Sequence, residues 1–171
     1  MPEQTGSVTL KGNKFTLCGA TPALGERIPD CRLVANDLAP FSLATLRGKV
    51  CILASVPSLD TPVCDTEMRR FNREAAALGE DLVVAAISVD LPFAQQRWCG
   101  SSGAERVITL SDHRDTSFGQ AFGVLIKELR LLARAVFVVD REGTLRYRQI
   151  VPEVTAEPDY DAVLSALKKC L

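Results

Sequence analysis

The sequence contains one histidine, one tryptophan, two tyrosines and two methionines in 171 residues. With a single histidine, His113 in the polar stretch SDHRD, a Cys-His hydrolase would have to rest on that one side chain. None of the six cysteines forms a C-x-x-C pair, which argues against a structural zinc site, and no metal or other cofactor is expected. A surplus of one charge is lacking as well. Twenty Lys plus Arg stand against 21 Asp plus Glu, a net charge of −1, so no electrostatic footprint for nucleic acid or an anionic membrane exists. No apolar run approaches the ~18 residues of a membrane span, and the opening MPEQTGSVTL has neither the basic start nor the apolar centre of a secretion signal. The expectation is a cytoplasmic protein with reduced thiols. Repeats, low-complexity segments and linkers are also missing, and the length suits one domain over residues 1–171.

What is present is concentrated in Ser55 to Phe71, SVPSLDTPVCDTEMRRF. Thr61-Pro62 reads as a helix start, since Thr is a favoured N-cap and Pro at the first helical position gives up only an orphaned N–H. Cys64 then takes the third helical position, where a capping box would hold Glu or Gln. Free backbone N–H groups and the positive end of the helix dipole favour an anion there, and a thiolate fits. Met68, Phe71, Ala75 and Leu78 continue at helical spacing along one face. This puts Cys64 at the buried edge of that face and Asp65, Glu67, Arg69, Arg70 and Arg73 mostly elsewhere. An inert core cysteine would occupy the same position. Acidifying a thiol raises its thiolate fraction but lowers the nucleophilicity of each thiolate, and for helix-N-terminal thiols in general the net gain at neutral pH is only about twofold. A fast enzyme built on Cys64 therefore needs donors aimed at the charge that develops in the transition state.

Along the chain, SVTLKGNKFTL reads as a β-hairpin turning at Gly12-Asn13. A Pro- and Gly-punctuated stretch follows, then two short strands at Leu33–Ala35 and Phe41–Leu43. Lys49 to Val56 is a continuous apolar run, as a central strand covered on both faces requires, and Cys51 inside it is a core residue. The helix from Pro62 to about Leu78 leads to a second buried strand, LVVAAISVD. Strand, helix and strand make a βαβ unit and a parallel α/β core, with Cys64 at the C-terminal end of a central strand, where such sheets place their sites. Pro92 opens another helix, stopped by Gly100 with Cys99 as its last residue. A short strand at Val107–Leu110, a short helix from Asp115 to about Phe122, a leucine-rich connection, an antiparallel hairpin (AVFVVD, then TLRYRQIV) and a final helix near 159–169 complete the chain. Cys170 is expected to be exposed.

Pro57, Thr61 and Cys64 fit P-x-x-x-T-x-x-C, the signature of peroxiredoxins. SVPSLDTPVCDTE, DLPFAQ-x-RWCG, RVITLSD and LARAVFVVD further resemble the bacterial thiol peroxidase subfamily, of the atypical 2-Cys kind, from about residue 7 to EPDYDAVLSALK near the end. The resemblance implies a thioredoxin-like α/β fold, a central mixed β-sheet flanked by helices with an N-terminal hairpin. It implies that Cys64 attacks hydrogen peroxide or an alkyl hydroperoxide and becomes a sulfenic acid, with Thr61 exchanging hydrogen bonds with peroxide and thiolate. Pro57 would shield the site from water, and Arg134 would hold the thiolate and the departing oxygen, with Arg130 as its nearby competitor. Cys99 would be the resolving cysteine, condensing with the sulfenic acid to an intrachain disulfide, for which at least one helix end must unwind. Thioredoxin as reductant and a homodimer are likewise implied by the resemblance alone. Two other readings remain open here, a thioredoxin-like carrier with structural cysteines and the Cys-His hydrolase. Thr61, standing where a C-x-x-C redox protein carries its first cysteine, argues against a disulfide oxidoreductase.

Overall fold

The computed structural model describes residues 1–171. The chain opens with the hairpin of β1 (Glu3–Leu10) and β2 (Asn13–Cys18). Its turn is Lys11-Gly12, one residue earlier than expected, with φ of 51° and 82°. A two-residue turn of this kind needs left-handed backbone at both positions, which Gly12 adopts freely and Lys11 does not. The compensation comes from a distant loop, where the Glu153 carboxylate accepts the N–H groups of Lys11 and Gly12. Hydrogen bonds from Thr9, Thr155 and Lys11 hold that carboxyl down at about 2.

Next come β3 (Arg32–Val34), β4 (Pro40–Ser42), β5 (Val50–Ser55), α1 (Pro62–Leu78), β6 (Leu82–Ser88), α2 (Pro92–Ser102) and β7 (Val107–Ser111). Then follow α3 (Ser117–Ala121), β8 (Leu125–Ile126), β9 (Leu131–Leu132), β10 (Ala135–Val139), β11 (Leu145–Ile150) and α4 (Tyr160–Lys168). The main sheet runs β11-β10-β5-β6-β7-β3-β4, and a smaller one runs β1-β2-β8-β9. Strands β5, β6 and β7 are parallel, and β10 and β11 add antiparallel neighbours beside β5. This is the thioredoxin-like arrangement that the resemblance implied. The pair β8 and β9 was not legible in the leucine-rich connection, because two-residue strands show no alternation to read.

Strand β5 explains the apolar run at its own level. Successive side chains point to opposite faces, and here both faces are covered. Cys51 and Leu53 join a core with Phe118, Phe122 and Phe137, while Val50, Ile52 and Ala54 join the other with Cys64, Met68 and Phe71 of α1, Trp98 of α2, and Tyr160 and Val163 of α4. Helix α1 stops at Gly79, in left-handed φ at 85°.

Helix α2 does not stop at Gly100. It continues to Ser102 and ends at Gly103, the residue that takes the left-handed C-cap conformation at φ 69°. The Ser102 carbonyl accepts from Arg69 of α1, and the Ser102 hydroxyl accepts the N–H of buried Ala104. These tertiary bonds hold a last turn that local propensity would let fray, so Cys99 lies inside the helix and not at its end.

Candidate active site

The β5 strand ends at Ser55, whose hydroxyl donates to the Ala133 carbonyl at 2.7 Å. The loop from Val56 to Asp60 is then held from the end of β6. Asp90 accepts the Ser58 hydroxyl at 2.7 Å and the Leu59 N–H at 2.8 Å, and Ser88 donates to the same carboxylate. Pro57 is buried in this loop.

Thr61 has the extended backbone of an N-cap, φ −96° and ψ 146°, yet its side chain makes no capping bond. Its Oγ1 lies 2.7 Å from Cys64 Sγ and 3.0 Å from the Ser58 carbonyl oxygen. A hydroxyl has one hydrogen and two lone pairs. Against a thiol it can accept from sulfur and donate to Ser58; against a thiolate it can turn and donate to sulfur. The spacing that suggested a cap has instead delivered a hydroxyl to the cysteine three positions on.

Cys64 is fully buried, and its sulfur is also 3.3 Å from Arg134 Nη2. Arg134 sits one residue ahead of β10 and is 1 % exposed. All three of its nitrogens are engaged: Nε donates to the Val154 carbonyl at 3.0 Å, Nη1 to Glu67 Oε2, and Nη2 to Cys64. Burial alone would push the guanidinium down, but the charges of Glu67 and Cys64 carry it above the usual arginine value. A rigid planar fork suits this use, since it reaches separate acceptors without losing its shape.

Helical spacing sets Glu67, with the other charged residues, mostly off the buried face of α1, and the structure corrects this for Glu67. It is completely buried, pairs with Arg134, and leaves Oε1 without a partner. Burial raises its carboxyl to about 7, with Glu157 adding to the rise and Arg134 opposing it. The available signal was the spacing of three from Cys64, which puts both side chains on one face a turn apart. A charged residue type masked it. Arg130 is exposed in the turn between β8 and β9 and takes no part in the site.

Cys99 lies apart from this group. Its sulfur is 3.3 Å from Thr109 Oγ1 on β7 and 3.8 Å from Asn36 Nδ2, and Thr109 also donates to Asn36 Oδ1 at 3.0 Å. All six cysteines are free thiols. The two helices nonetheless meet beside the two sulfurs: Trp98 Nε1 donates to Asp65 Oδ1 at 2.9 Å, and Arg69 bridges Asp65 to the Ser102 carbonyl. His113 bonds Ser111 at 2.8 Å through Nδ1 and has no bond to Cys64. Burial pushes the Cys31 and Cys51 thiols up to about 12. Cys170 is half-buried with its thiol on the Ala166 carbonyl, less open than expected. No group of three His, Cys, Asp or Glu side chains is arranged to hold a metal ion, and no helix is long and apolar enough to cross a membrane.

A single sulfur facing a reversible hydroxyl and a fixed guanidinium, at the end of a central strand of a thioredoxin-like sheet, defines a thiol-based redox protein. The redoxin family profile matches residues 23–164, and the chain belongs to that family. Within it the chain falls with the bacterial thiol peroxidases of the peroxiredoxin group. It is 53 % identical over 161 residues to a thiol peroxidase of Bacillus subtilis, covering 94 % of this chain and 96 % of that one. Among solved structures, a peroxiredoxin-like protein from Aquifex aeolicus matches with a TM-score of 0.89 and 42 % identity over 97 % of this chain and 98 % of the other. A thiol peroxidase from Chromobacterium violaceum, at 21 % identity and a TM-score of 0.85 over 95 % of each chain, shares the fold.

Proposed function

We propose that this chain, acting as one domain over residues 1–171, reduces hydrogen peroxide and organic hydroperoxides to water and alcohols through Cys64. The observation that supports this reading is the placement of Cys64 Sγ between Thr61 Oγ1 at 2.7 Å and Arg134 Nη2 at 3.3 Å, out of contact with solvent. The Cys64 thiolate attacks one peroxide oxygen, the O–O bond breaks, and the electron pair leaves on the other oxygen. Thr61 accepts from the peroxide hydrogen and so orients the attack. Arg134 holds the thiolate beforehand and stabilises the negative charge as it passes to the leaving oxygen. Pro57 closes the site to water.

Cys99 then attacks the Cys64 sulfenic acid, expelling water and leaving an intrachain disulfide. A disulfide needs Cα atoms within about 7 Å, so the hydrogen bonds around Cys99 must break and the last turn of α2 must open. A thioredoxin reduces the bridge and restores both thiols. The enzyme works in the cytoplasm as a homodimer, and the exposed Leu91 and Phe93 flanking the start of α2 supply an apolar patch for it.

The test is consumption of tert-butyl hydroperoxide with thioredoxin and thioredoxin reductase. Cys64→Ser should be inactive, while Cys99→Ser should complete one turnover and fail to recycle. Full activity in both variants, or a bridge other than Cys64–Cys99 in peroxide-treated protein, sinks the assignment. Retention of activity by His113→Ala is expected, and its loss would restore the hydrolase-type reading.

A further inference from the structure

One guanidinium serves two acids in the interior of this protein. Arg134 gives Nη2 to Cys64 and Nη1 to Glu67, both without solvent exposure. Arg134 and Glu157 act on the Glu67 carboxyl, Glu67 acts in turn on Tyr160, and Cys64 and Arg70 are its titratable neighbours three positions away along the helix. Arg134 stands ahead of β10, Glu157 belongs to the loop before α4, and Tyr160 opens α4. Tyr160 donates its hydroxyl to Glu157, and Arg70 lies over the Tyr160 ring at 3.9 Å, so neither reaches the Glu67 carboxyl. Arg134 is its one hydrogen-bond partner, and Oε1 is buried with none.

The charge count then decides the protonation state. With a Cys64 thiolate and a Glu67 carboxylate, two anions share one cation, and an uncompensated buried charge costs several kcal/mol. With Glu67 protonated the site is neutral. Once the sulfur becomes a neutral sulfenic acid the balance reverses, and Arg134 is left unpaired unless Glu67 ionises. Building on the peroxidase reading above, we infer that Glu67 positions Arg134 and stores a proton, holding it while Cys64 is a thiolate and releasing it as the sulfur becomes a sulfenic acid.

The step balances. The thiolate sulfur forms a bond to one peroxide oxygen and loses two electrons. The O–O bond breaks, the peroxide takes those electrons, and the second oxygen leaves as RO⁻, which needs one proton to become ROH. Glu67 loses one proton in the same step, so none is drawn from the solvent, and the buried charge is zero before and after. The elevated carboxyl, raised by burial to about 7, fits a group that can ionise near neutrality once its cation is freed.

The experiment compares Cys99→Ser with Cys99→Ser/Glu67→Gln, both halted at the sulfenic acid. Glutamine keeps an oxygen for Arg134 and removes the proton store. Each is mixed with one equivalent of hydroperoxide in weakly buffered indicator solution at about pH 6.5, and proton uptake is read per sulfenic acid trapped with dimedone. The protein that retains Glu67 should take up close to none and the Glu67→Gln protein about one per turnover. Equal stoichiometries overturn the inference. If no dimedone adduct forms at Cys64 in either protein, the peroxidase assignment itself has failed and the inference falls with it. Should the double variant not fold, infrared difference spectra of the Cys99→Ser protein answer instead. A protonated-carboxyl band must disappear as the sulfenic acid forms, and a spectrum without that loss overturns the proposal.

Discussion

Arg69→Met should accelerate disulfide formation while leaving peroxide attack unchanged. Arg69 lies on α1, yet it ties down α2. Its Nη1 donates to the Ser102 carbonyl, and its Nε donates at 2.8 Å to Asp65, whose other oxygen accepts Trp98 Nε1. Cys99 sits in the turn between those anchors, and that turn must open before its sulfur reaches Cys64. A hydrogen bond to a charged group contributes about 1.5 to 3 kcal/mol when well shielded. The Arg69 side chain is 45 % exposed, so solvent screening brings the figure down to about 1 kcal/mol. If opening precedes bridging, removing that bond raises the open population about fivefold, and the bridging rate with it. Methionine keeps the aliphatic stem and good helix propensity, which confines the change to the guanidinium. Trp98, the one tryptophan, is itself part of the clamp, so its fluorescence after mixing with peroxide reports both events. A fast phase proportional to peroxide should keep its rate constant, and a slower, concentration-independent phase should quicken severalfold. A slow phase unchanged or slowed in Arg69→Met would show that this end of α2 does not gate the bridge.

Thr61→Val should lower kcat/KM for hydroperoxide by about 100-fold, the usual cost of letting a reacting group shift out of line, whereas Thr61→Ser should retain most of the rate because it keeps the hydroxyl that accepts from the peroxide; steady-state assays against peroxide concentration separate the two. Native protein treated with iodoacetamide at neutral pH should show no label at Cys31 or Cys51, since burial pushes both thiols up to about 12, and peptide mapping reads this directly. Stability should carry the signature of Glu67. Its carboxyl lies at about 7 in the folded protein against an ordinary 4.5, so the folded state keeps a proton that the unfolded state has released. The contribution is fully present below about pH 4.5 and is lost as pH rises through 7. Glu67→Gln removes that loss, and its thermal midpoint should rise relative to wild type across this window, by the equivalent of about 3 kcal/mol. A difference in midpoint that stays constant with pH would refute it.

The frame of the molecule was readable because it depends on local rules. Pro62 and Gly79 bracket α1, the run from Val50 shows a strand covered on both faces, and the alternation after Leu145 shows the outer hairpin strand. Two kinds of feature escaped. Elements whose ends are set by tertiary bonds were misjudged: α2 passes Gly100 because Arg69 and Ala104 hold Ser102, and the hairpin turn shifts to Lys11 because Glu153 accepts its N–H groups. The pair β8 and β9 is too short for any pattern.

The second kind is the charged residue placed inside. Periodicity assigns α1 an apolar face through Met68 and Phe71 and sets the charged residues, Glu67 among them, mostly off it. Glu67 is instead buried because Arg134 is buried, and Arg134 is buried because the Cys64 sulfur needs a cation where solvent cannot screen it. Each of the three would be costly alone. Sequence motifs identify Cys64 and Arg134 through resemblance, but the requirement that their buried charges sum to zero is a property of the assembled site. That requirement makes Glu67 part of the chemistry, through the proton it holds, and its effect should be seen in proton uptake and in the pH dependence of stability.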